Sequence, residues 1–285
     1  MSDVSAAMDW GPGLIGLALS LGMYGVALAQ YGFYLNAFPR DPRGLKALVL
    51  FVFIIDALHS YGMIAYNWAI LVTCHRGVIG ECPADLPWEA VMAPVISYST
   101  TFIVQSFYGH RLWIISAHNK YITFTVFVIA VIEYALGISC IVGIIRNAGS
   151  PTAANTALAV GGAAAGLSVT CDVLITSSVF FYLRPQRSGI KRTGTAMQQL
   201  INIFVNMGLL TCLISLSLFV FNWTEDGQYW IGAPAPLICK SYTNSLMAVL
   251  NARKFIRDHA AKTAVELQTL PATRTSADQA PSVEL

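Results

Sequence analysis

Seven long apolar stretches constrain the fold of this 285-residue chain more than any other feature. They lie at about 14–36, 45–72, 89–115, 121–145, 155–183, 197–222 and 231–252. Each is long enough to cross a bilayer, which takes about 20 residues in a helix. They are too long and too continuously apolar for the strands of a membrane barrel. The sequence therefore predicts an all-α membrane protein, a seven-transmembrane-helix bundle.

The composition agrees with a membrane location. Only 11% of the residues are charged, against roughly 25% in a typical soluble domain, and the mean hydropathy is +0.59. A net charge of only +2 gives no reason to expect nucleic acid as a partner. The expected surroundings are the lipid bilayer of the plasma membrane or an endomembrane, with an anionic lipid or a small hydrophobic ligand as further partners. The oligomeric state is left open.

The distribution of lysine and arginine predicts the orientation. With seven spans, 14 of these residues fall on one side of the membrane, only Arg76 and Arg146 fall on the other, and Lys240 lies within a span. Cytoplasmic loops carry the excess of basic residues in membrane proteins. We therefore expect the N-terminus outside and the C-terminus in the cytosol. The 14 residues are Arg40, Arg43, Lys46, Arg111, Lys120, Arg184, Arg187, Lys191, Arg192, Arg253, Lys254, Arg257, Lys262 and Arg274.

The chain divides into three parts on this pattern. Residues 1–253 form the predicted transmembrane domain. Residues 254–270 place Ile256, Ala260 and Leu267 on one face at helical spacing, which predicts a cytosolic amphipathic helix on the inner leaflet. Residues 271–285 are small and polar, and we expect a disordered tail.

Two cysteines, Cys74 and Cys82, fall in one predicted outer loop. The compartment outside the cytosol permits oxidation, so a disulfide between them is expected, with two free thiols as the alternative.

A basic loop on the predicted cytosolic side follows the fifth helix and holds Arg184, Arg187, Lys191 and Arg192. Cations close to the inner leaflet attract anionic lipid. The loop is therefore a candidate contact for anionic lipid; the alternative is that its charges only set the topology.

Polar side chains recur inside the predicted helices at spacings of three or four, which marks one face of each helix. A rise of 1.5 Å per residue places the ionisable ones near the middle of the bilayer. A charge at that depth costs at least about 2.5–3.5 kcal/mol, so it should face the interior, pair or be neutralised. The candidate intramembrane polar site consists of Asp56, His59, Gln105, Glu133, Asp172, Asn206, Lys240 and Asn244.

Lys240 needs a partner if it keeps its proton. The second and seventh helices are neighbours in many seven-helix bundles, so Asp56 is the first choice, and Asp172 and Glu133 are the alternatives. Such a pair would close a polar site lined by Gln105 and Asn244. The competing interpretation is a purely structural polar network that fixes the register of the helices.

Several chemistries can be weighed against these residues. A zinc hydrolase needs several histidines, and His59 is the only central one, so no metal is expected. A retinal protein would use a lysine such as Lys240. Retinal is disfavoured, however, because Pro236 stands where microbial rhodopsins have an aspartate and because the NPxxY motif of animal receptors is missing. An embedded terpene cyclase would need a buried acid such as Glu133 or Asp56 to protonate an isoprenoid. No cofactor is assigned.

Five motifs, in order along the chain, resemble those of one family. They are 104-VQSFYGHRL-112, 172-DVLIT-176, 181-FYLR-184 with Arg192 and Thr193, 208-GLLT-211, and 240-KSYTNSLMAVLNAR-253. Together they are similar to a large family of seven-helix membrane proteins from mushroom-forming fungi, known as a domain of unknown function. The resemblance runs from the first helix to Arg253. It implies the seven-helix topology and supplies no substrate, cofactor or catalytic residue.

The leading functional hypothesis is therefore a receptor-like or transport-like membrane protein with a polar intramembrane site. The alternatives are an embedded enzyme acting on a lipid or isoprenoid, and a structural membrane protein without a ligand.

Overall fold

The structure, a computed structural model, describes residues 2–69, 72, 88–146, 151–183, 191–224 and 230–269. In this part of the chain every regular element is helical, and no strand occurs. The predicted all-α class is confirmed. The seven helices are α1 (Ser2–Ala37), α2 (Arg43–Trp68), α3 (Trp88–Ile115), α4 (Lys120–Arg146), α5 (Pro151–Leu183), α6 (Lys191–Trp223) and α7 (Ala235–Thr269).

Six of these helices are long and apolar enough to span a membrane. Their outward faces carry large apolar side chains, such as Leu19, Phe51, Phe124 and Leu213, each at least half exposed. Soluble monomers rarely expose apolar surface on this scale, so the exposed side chains must face lipid. The fold is therefore that of a multi-pass membrane protein. The spanning segments are Gly11–Ala37, Arg43–Trp68, Trp88–Ile115, Lys120–Arg146, Asn155–Leu183 and Ile201–Trp223.

The seventh helix differs from the other six because its middle is buried on all sides. All ten residues from 238 to 247 are buried, including Lys240, Ser241 and Thr243. Such a helix packs on every side, here against α1, α2, α3 and α6. It continues without a break to Thr269, so residues 254–269 extend α7 rather than form a separate helix. The predicted tail at 271–285 lies outside the described residues.

The helices form a ring in chain order. Each packs against the next, and contacts between α7 and α1 close the ring. The third helix also makes contacts across the ring, because it packs against α5 and α7 as well as against α2 and α4. Consecutive helices run antiparallel, so the bundle has two ends. We call them the α1–α2 end and the α2–α3 end, after the connections that they carry.

The interior is layered along the bundle. Large apolar side chains fill the half nearer the α1–α2 end, among them Tyr34, Val49, Leu112 and Leu250. Buried polar side chains form the middle layer. A cavity occupies the half nearer the α2–α3 end. This layering positions the candidate site at the boundary between the apolar core and the cavity.

Local sequence signals set the helix boundaries at the α1–α2 end. Pro42, with φ −57°, precedes α2, where its fixed dihedral angle suits a helix start. Ala117 and His118 take positive φ values of 53° and 68° and turn the chain between α3 and α4. The side chain of Asn119 then caps α4, because its Oδ1 accepts a hydrogen bond from the backbone N–H of Tyr121 at 3.1 Å.

Close helix packing depends on glycine in two places. A Cβ at Gly162 would come within 2.8 Å of Asn222, and a Cβ at Gly166 would come within 3.0 Å of Phe219. The two glycines therefore let α5 and α6 approach each other closely. A Cβ at Gly137 on α4 would meet the Tyr98 ring of α3 at 2.5 Å. That ring lines the cavity, so Gly137 helps to set its width.

Candidate functional site

The first feature of the polar layer is a buried ion pair between α2 and α7. Lys240 Nζ donates to Asp56 Oδ1 at 2.7 Å, to the Asp56 backbone oxygen at 2.7 Å and to Ser60 Oγ at 2.6 Å. Both charged side chains are fully buried. An ammonium group has three N–H donors, and here each has an acceptor. Lys240 is therefore fully satisfied by α2.

The surroundings of the pair complete what we call the ion-pair cluster: Asp56, Ser60, Cys239, Thr100 and Lys240. Cys239 Sγ lies 3.4 Å from Asp56 Oδ1 and 3.5 Å from Thr100 Oγ1. Asp56 Oδ2 has no hydrogen-bond partner among the described residues. The carboxylate is thus held through one oxygen only.

A second group, the carboxyl cluster, consists of Gln105, Glu133, Ser168, Asp172 and Tyr242. The Tyr242 hydroxyl donates to the Asp172 carboxylate, at 3.0 Å to Oδ1 and 2.9 Å to Oδ2, and lies 3.0 Å from Ser168 Oγ. Gln105 Nε2 donates to Glu133 Oε2 at 3.0 Å and to the Tyr242 oxygen at 3.4 Å. The cluster joins α3, α4, α5 and α7 through buried groups.

Helix α7 supplies a residue to each cluster. Lys240 and Tyr242 are two positions apart, which separates them by about 200° around a helix. They therefore point to opposite sides of α7. Only a helix that is buried on all sides can place both residues in the interior of the bundle.

The structure distributes the predicted site residues between these clusters. It brings Lys240 together with Asp56, and it brings Gln105, Glu133 and Asp172 together around Tyr242.

The remaining predicted residues lie elsewhere. His59 is buried beside the ion-pair cluster, and its Nδ1 has no partner among the described residues. Asn244 donates to the backbone oxygens of Met23 and Lys240, so it ties α7 to α1. Asn206 does not join either cluster: its side chain is exposed on α6. Helical spacing had placed it on the polar stripe of α6, but spacing cannot tell which neighbour that stripe faces.

Sequence reasoning missed five cluster members: Ser60, Thr100, Ser168, Cys239 and Tyr242. Helical spacing could have found two of them, because Ser60 follows Asp56 by four positions and Ser168 precedes Asp172 by four. Tyr242 lies off the stripe of Lys240, so no single-face pattern could have found it.

Several predicted contacts lie outside the described residues. These are the disulfide of Cys74 and Cys82, the loop residues Arg184 and Arg187, and the side chains of Lys191 and Arg192. As for metals, no group of three or more His, Cys, Asp or Glu side chains in the described ranges could hold an ion.

A cavity of about 360 Å³ extends from the polar layer towards the α2–α3 end. His59, Thr101 and Glu133 line its inner part, and the walls include Met63 and Tyr98. His59 Nδ1 and Thr101 Oγ1 have no hydrogen-bond partner within the described part of the chain. The cavity thus offers unpaired polar atoms at the base of a largely apolar space. Lys240 does not line it.

A separate ionic contact lies at the α1–α2 end. Arg253 Nη2 donates to Asp41 Oδ2 at 2.7 Å, and the Tyr34 hydroxyl donates to the same oxygen at 3.0 Å. The Arg253 guanidinium also lies 4.4 Å from the centre of the Phe38 ring. Partial burial raises the pKa of Asp41, but the hydrogen bonds from Arg253 and Tyr34 outweigh it and lower the pKa below its ordinary value. This contact ties the end of α7 to the α1–α2 connection.

Apolar outer faces, a buried polar layer and an internal cavity together define a multi-pass membrane protein with an internal pocket. Residues 168–255 match the model of a family of unknown function (DUF6534). The matched stretch runs from α5 into α7 and includes Asp172, Lys240 and Tyr242. Neither the curated proteins nor the solved structures gave a match to the chain. The family match supplies no activity, so the function must be argued from the site.

Proposed function

We propose that this protein is a seven-span, receptor-like membrane protein that binds a small amphiphilic ligand in its internal cavity. In this proposal α7 is the seventh span, with the N-terminus outside and the C-terminus in the cytosol. The 14-to-2 distribution of basic residues supports the orientation. The enclosure of α7 by the apolar helices supports its place in the membrane, because its polar residues are shielded from lipid.

The observation that carries the proposal is the cavity itself. Its volume of about 360 Å³ lies within the range of small-molecule sites, which are mostly apolar and contain a few placed polar groups. Here the polar groups are Glu133, His59 and Thr101, and the atoms His59 Nδ1 and Thr101 Oγ1 are buried without a partner. A buried polar atom without a hydrogen bond costs free energy, which a ligand could recover.

The lining points to the kind of head group. Carboxyl oxygens and an imidazole nitrogen can accept hydrogen bonds, and Thr101 can accept or donate. A ligand head that donates, such as an amine or an alcohol, fits this set better than a carboxylate. The apolar walls fit a hydrocarbon body.

The position of the cavity favours a receptor over a transporter. The cavity lies in the half of the bundle nearer the α2–α3 end, and the apolar core fills the other half. A transporter of this design would have to reorganise that core to open the second side. A receptor needs only a site that is accessible from one side.

The test uses protein in lipid nanodiscs and three probes with equal chains: decylamine, 1-decanol and decanoate. Decylamine and decanol should raise the Tm in a saturable way, and decanoate should not. At a ligand concentration of 100 times Kd, binding adds about 2.7 kcal/mol to the free energy of unfolding. Glu133→Gln should weaken the effect of decylamine more than that of decanol.

A matched pair of variants on α5 controls for bilayer effects. Ala165 lines the cavity, whereas Ala163 is exposed and does not line it. Ala165→Phe should abolish the stabilisation, and Ala163→Phe should leave it unchanged. Equal Tm shifts in the two variants, or shifts that never saturate, would show that the probes act only through the bilayer.

One feature favours an enzyme as the second candidate. The Glu133 carboxyl group faces an apolar cavity, as an acid that protonates an isoprenoid must do. In that case Glu133 would give a proton to a carbon–carbon double bond, and the resulting carbocation would lose a proton on forming product. Incubation with a polyprenyl alcohol, followed by mass spectrometry, separates the two functions. An enzyme yields cyclised isomers of the alcohol, which chromatography before the mass spectrometer resolves and which Glu133→Gln abolishes, whereas a receptor returns the alcohol unchanged.

The site argues against retinal. A Schiff base needs a lysine that faces the ligand, and all three N–H donors of Lys240 are directed to α2, outside the cavity lining.

A further inference from the structure

A second hollow lies on the outside of the bundle, between α3 and α4. It has a volume of about 450 Å³ and is distinct from the internal cavity. Its walls include Gly109 and Trp113 of α3, and Phe124 and Phe127 of α4. Phe124 is 68% exposed and Phe127 is 49% exposed, so the hollow opens towards lipid, and its inner end reaches the buried Gln105 and Val126. We call it the α3–α4 groove.

The groove runs from the end of the helices into the apolar layer. Gly109 lies six positions before the last residue of α3, Ile115, which corresponds to about 9 Å along the axis. Phe127 lies seven positions after the first residue of α4, which corresponds to about 10 Å. Because Gly109 has no side chain, its place in the wall leaves the space that a chain of methylene groups could fill.

The rim of the groove is basic. Lys120, the first residue of α4, lines it and is exposed, and His110 lines it from α3. Among the residues that the structure describes, Lys120 has no carboxylate partner. Trp113 stands in the same wall, and tryptophan is typical of the level of the lipid head groups. The groove therefore combines a largely apolar slot, the indole ring of Trp113 at the level of the head groups, and the Lys120 ammonium group without a carboxylate partner in the described ranges.

We propose that the α3–α4 groove binds one anionic phospholipid, with an acyl chain along Gly109 and the phosphate at Lys120. The chemistry of the groove selects this occupant. The slot is largely apolar and suits an acyl chain, and the cation complements a phosphate. The two lie at the depths where a phospholipid places its chain and its head group. The site is formed by residues of α3 and α4, and it does not rest on the proposed ligand of the internal cavity.

Brominated lipids quench tryptophan only at short range, so Trp113 can report on this groove. Protein is reconstituted with brominated phosphatidylglycerol or brominated phosphatidylcholine at equal mole fractions. The contribution of Trp113 is obtained as the difference between the wild type and Trp113→Phe. We expect the anionic lipid to be preferred about fivefold at Trp113, the preference given by one cation close to the head group.

Four further variants make the test specific. Lys120→Gln should remove the preference for the anionic lipid, and Lys120→Arg should keep it. Gly109→Leu should reduce the quenching by both lipids, because it fills the slot. Lys254→Gln is the matched control: Lys254 is a cation on α7 that does not line the groove, so the preference should persist.

Equal quenching of Trp113 by the two lipids in the wild type would overturn the proposal, since it would show ordinary boundary lipid only. A preference that survives Lys120→Gln would overturn it as well, because another cation would then hold the phosphate.

Discussion

Lys240 Nζ lies 2.7 Å from Asp56 Oδ1, with both side chains fully buried, and this pair joins α2 to α7 in the middle of the bundle. Two charges in a region of low dielectric constant are acceptable only if they satisfy each other. Lys240 meets this condition through three acceptors, all on α2. The pair therefore fixes the rotation of α7, and with it the direction of Tyr242 towards the carboxyl cluster.

Removal of one member of the pair should be costly. Lys240→Met or Asp56→Leu alone leaves a buried charge without a partner, and we expect a loss of about 3–5 kcal/mol in the free energy of unfolding. The double variant should recover much of that loss, because neither charge remains. Unfolding in detergent gives the stability of the wild type, the two single variants and the double variant, which together form a double-mutant cycle. Lys254→Met, a change to an outer lysine of the same helix, should have little effect. If the double variant lost as much stability as the two single variants combined, the pairing would be contradicted.

The carboxyl cluster depends on the hydroxyl of Tyr242. Tyr242→Phe keeps the ring and removes the donor to Asp172, so a buried carboxylate loses a hydrogen bond. We expect a loss of about 1–3 kcal/mol in stability. Tyr121→Phe is the matched control, because Tyr121 is 87% exposed and should change stability by less than about 0.5 kcal/mol. Equal effects of the two substitutions would show that the hydroxyl of Tyr242 has no structural role.

The contact between Asp41 and Arg253 should give a pH-dependent contribution. The folded state lowers the pKa of Asp41 below 3.8, so the contact stabilises above that value and is lost as the pH falls through the lower pKa. The pair is partly exposed, so its contribution is about 1 kcal/mol or less. Asp41→Asn should therefore lower the Tm at neutral pH, and the difference from the wild type should close in strong acid. A difference that stays constant over the whole acid range would contradict this assignment.

The orientation can be tested with tags. If α7 is the seventh span, a tag before Met1 should be accessible from outside intact cells, and a tag after Leu285 should become accessible only after permeabilisation. The 14-to-2 distribution of basic residues is the reason for this expectation. Equal accessibility of the two tags would require an even number of spans and would remove α7 from the membrane.

The sequence predicted the helices well, because a span of about 20 apolar residues is a strong and local signal. It was less informative about α7, where polar residues interrupt the apolar pattern and only the packing shows that they are enclosed. Periodicity identified a polar face on α2, α3 and α6 alike. It could not reveal that the face of α6 with Asn206 is exposed, because the direction of a face depends on the neighbouring helices.

The division of the polar residues into two clusters could not be predicted from the sequence either. Asp56, Glu133 and Asp172 lie at similar depths, so depth alone could not select the partner of Lys240. The packing of α7 against its neighbours makes that selection. It depends on contacts between residues far apart in the chain, such as the hydrogen bond from Asn244 to the Met23 backbone oxygen. The contact of Asp41 with Arg253 was missed for the same reason, since 212 positions separate the two residues.

The most direct test of the proposed function is to locate a bound ligand. Decylamine with a diazirine at the end of its chain is photolysed with the protein in nanodiscs, and the modified residues are mapped by mass spectrometry. We predict labelling of cavity residues such as Met63, Tyr98 and Leu158, which Ala165→Phe or an excess of decylamine abolishes. Labelling confined to lipid-facing residues such as Leu213, and unaffected by either treatment, would contradict a ligand site in the cavity.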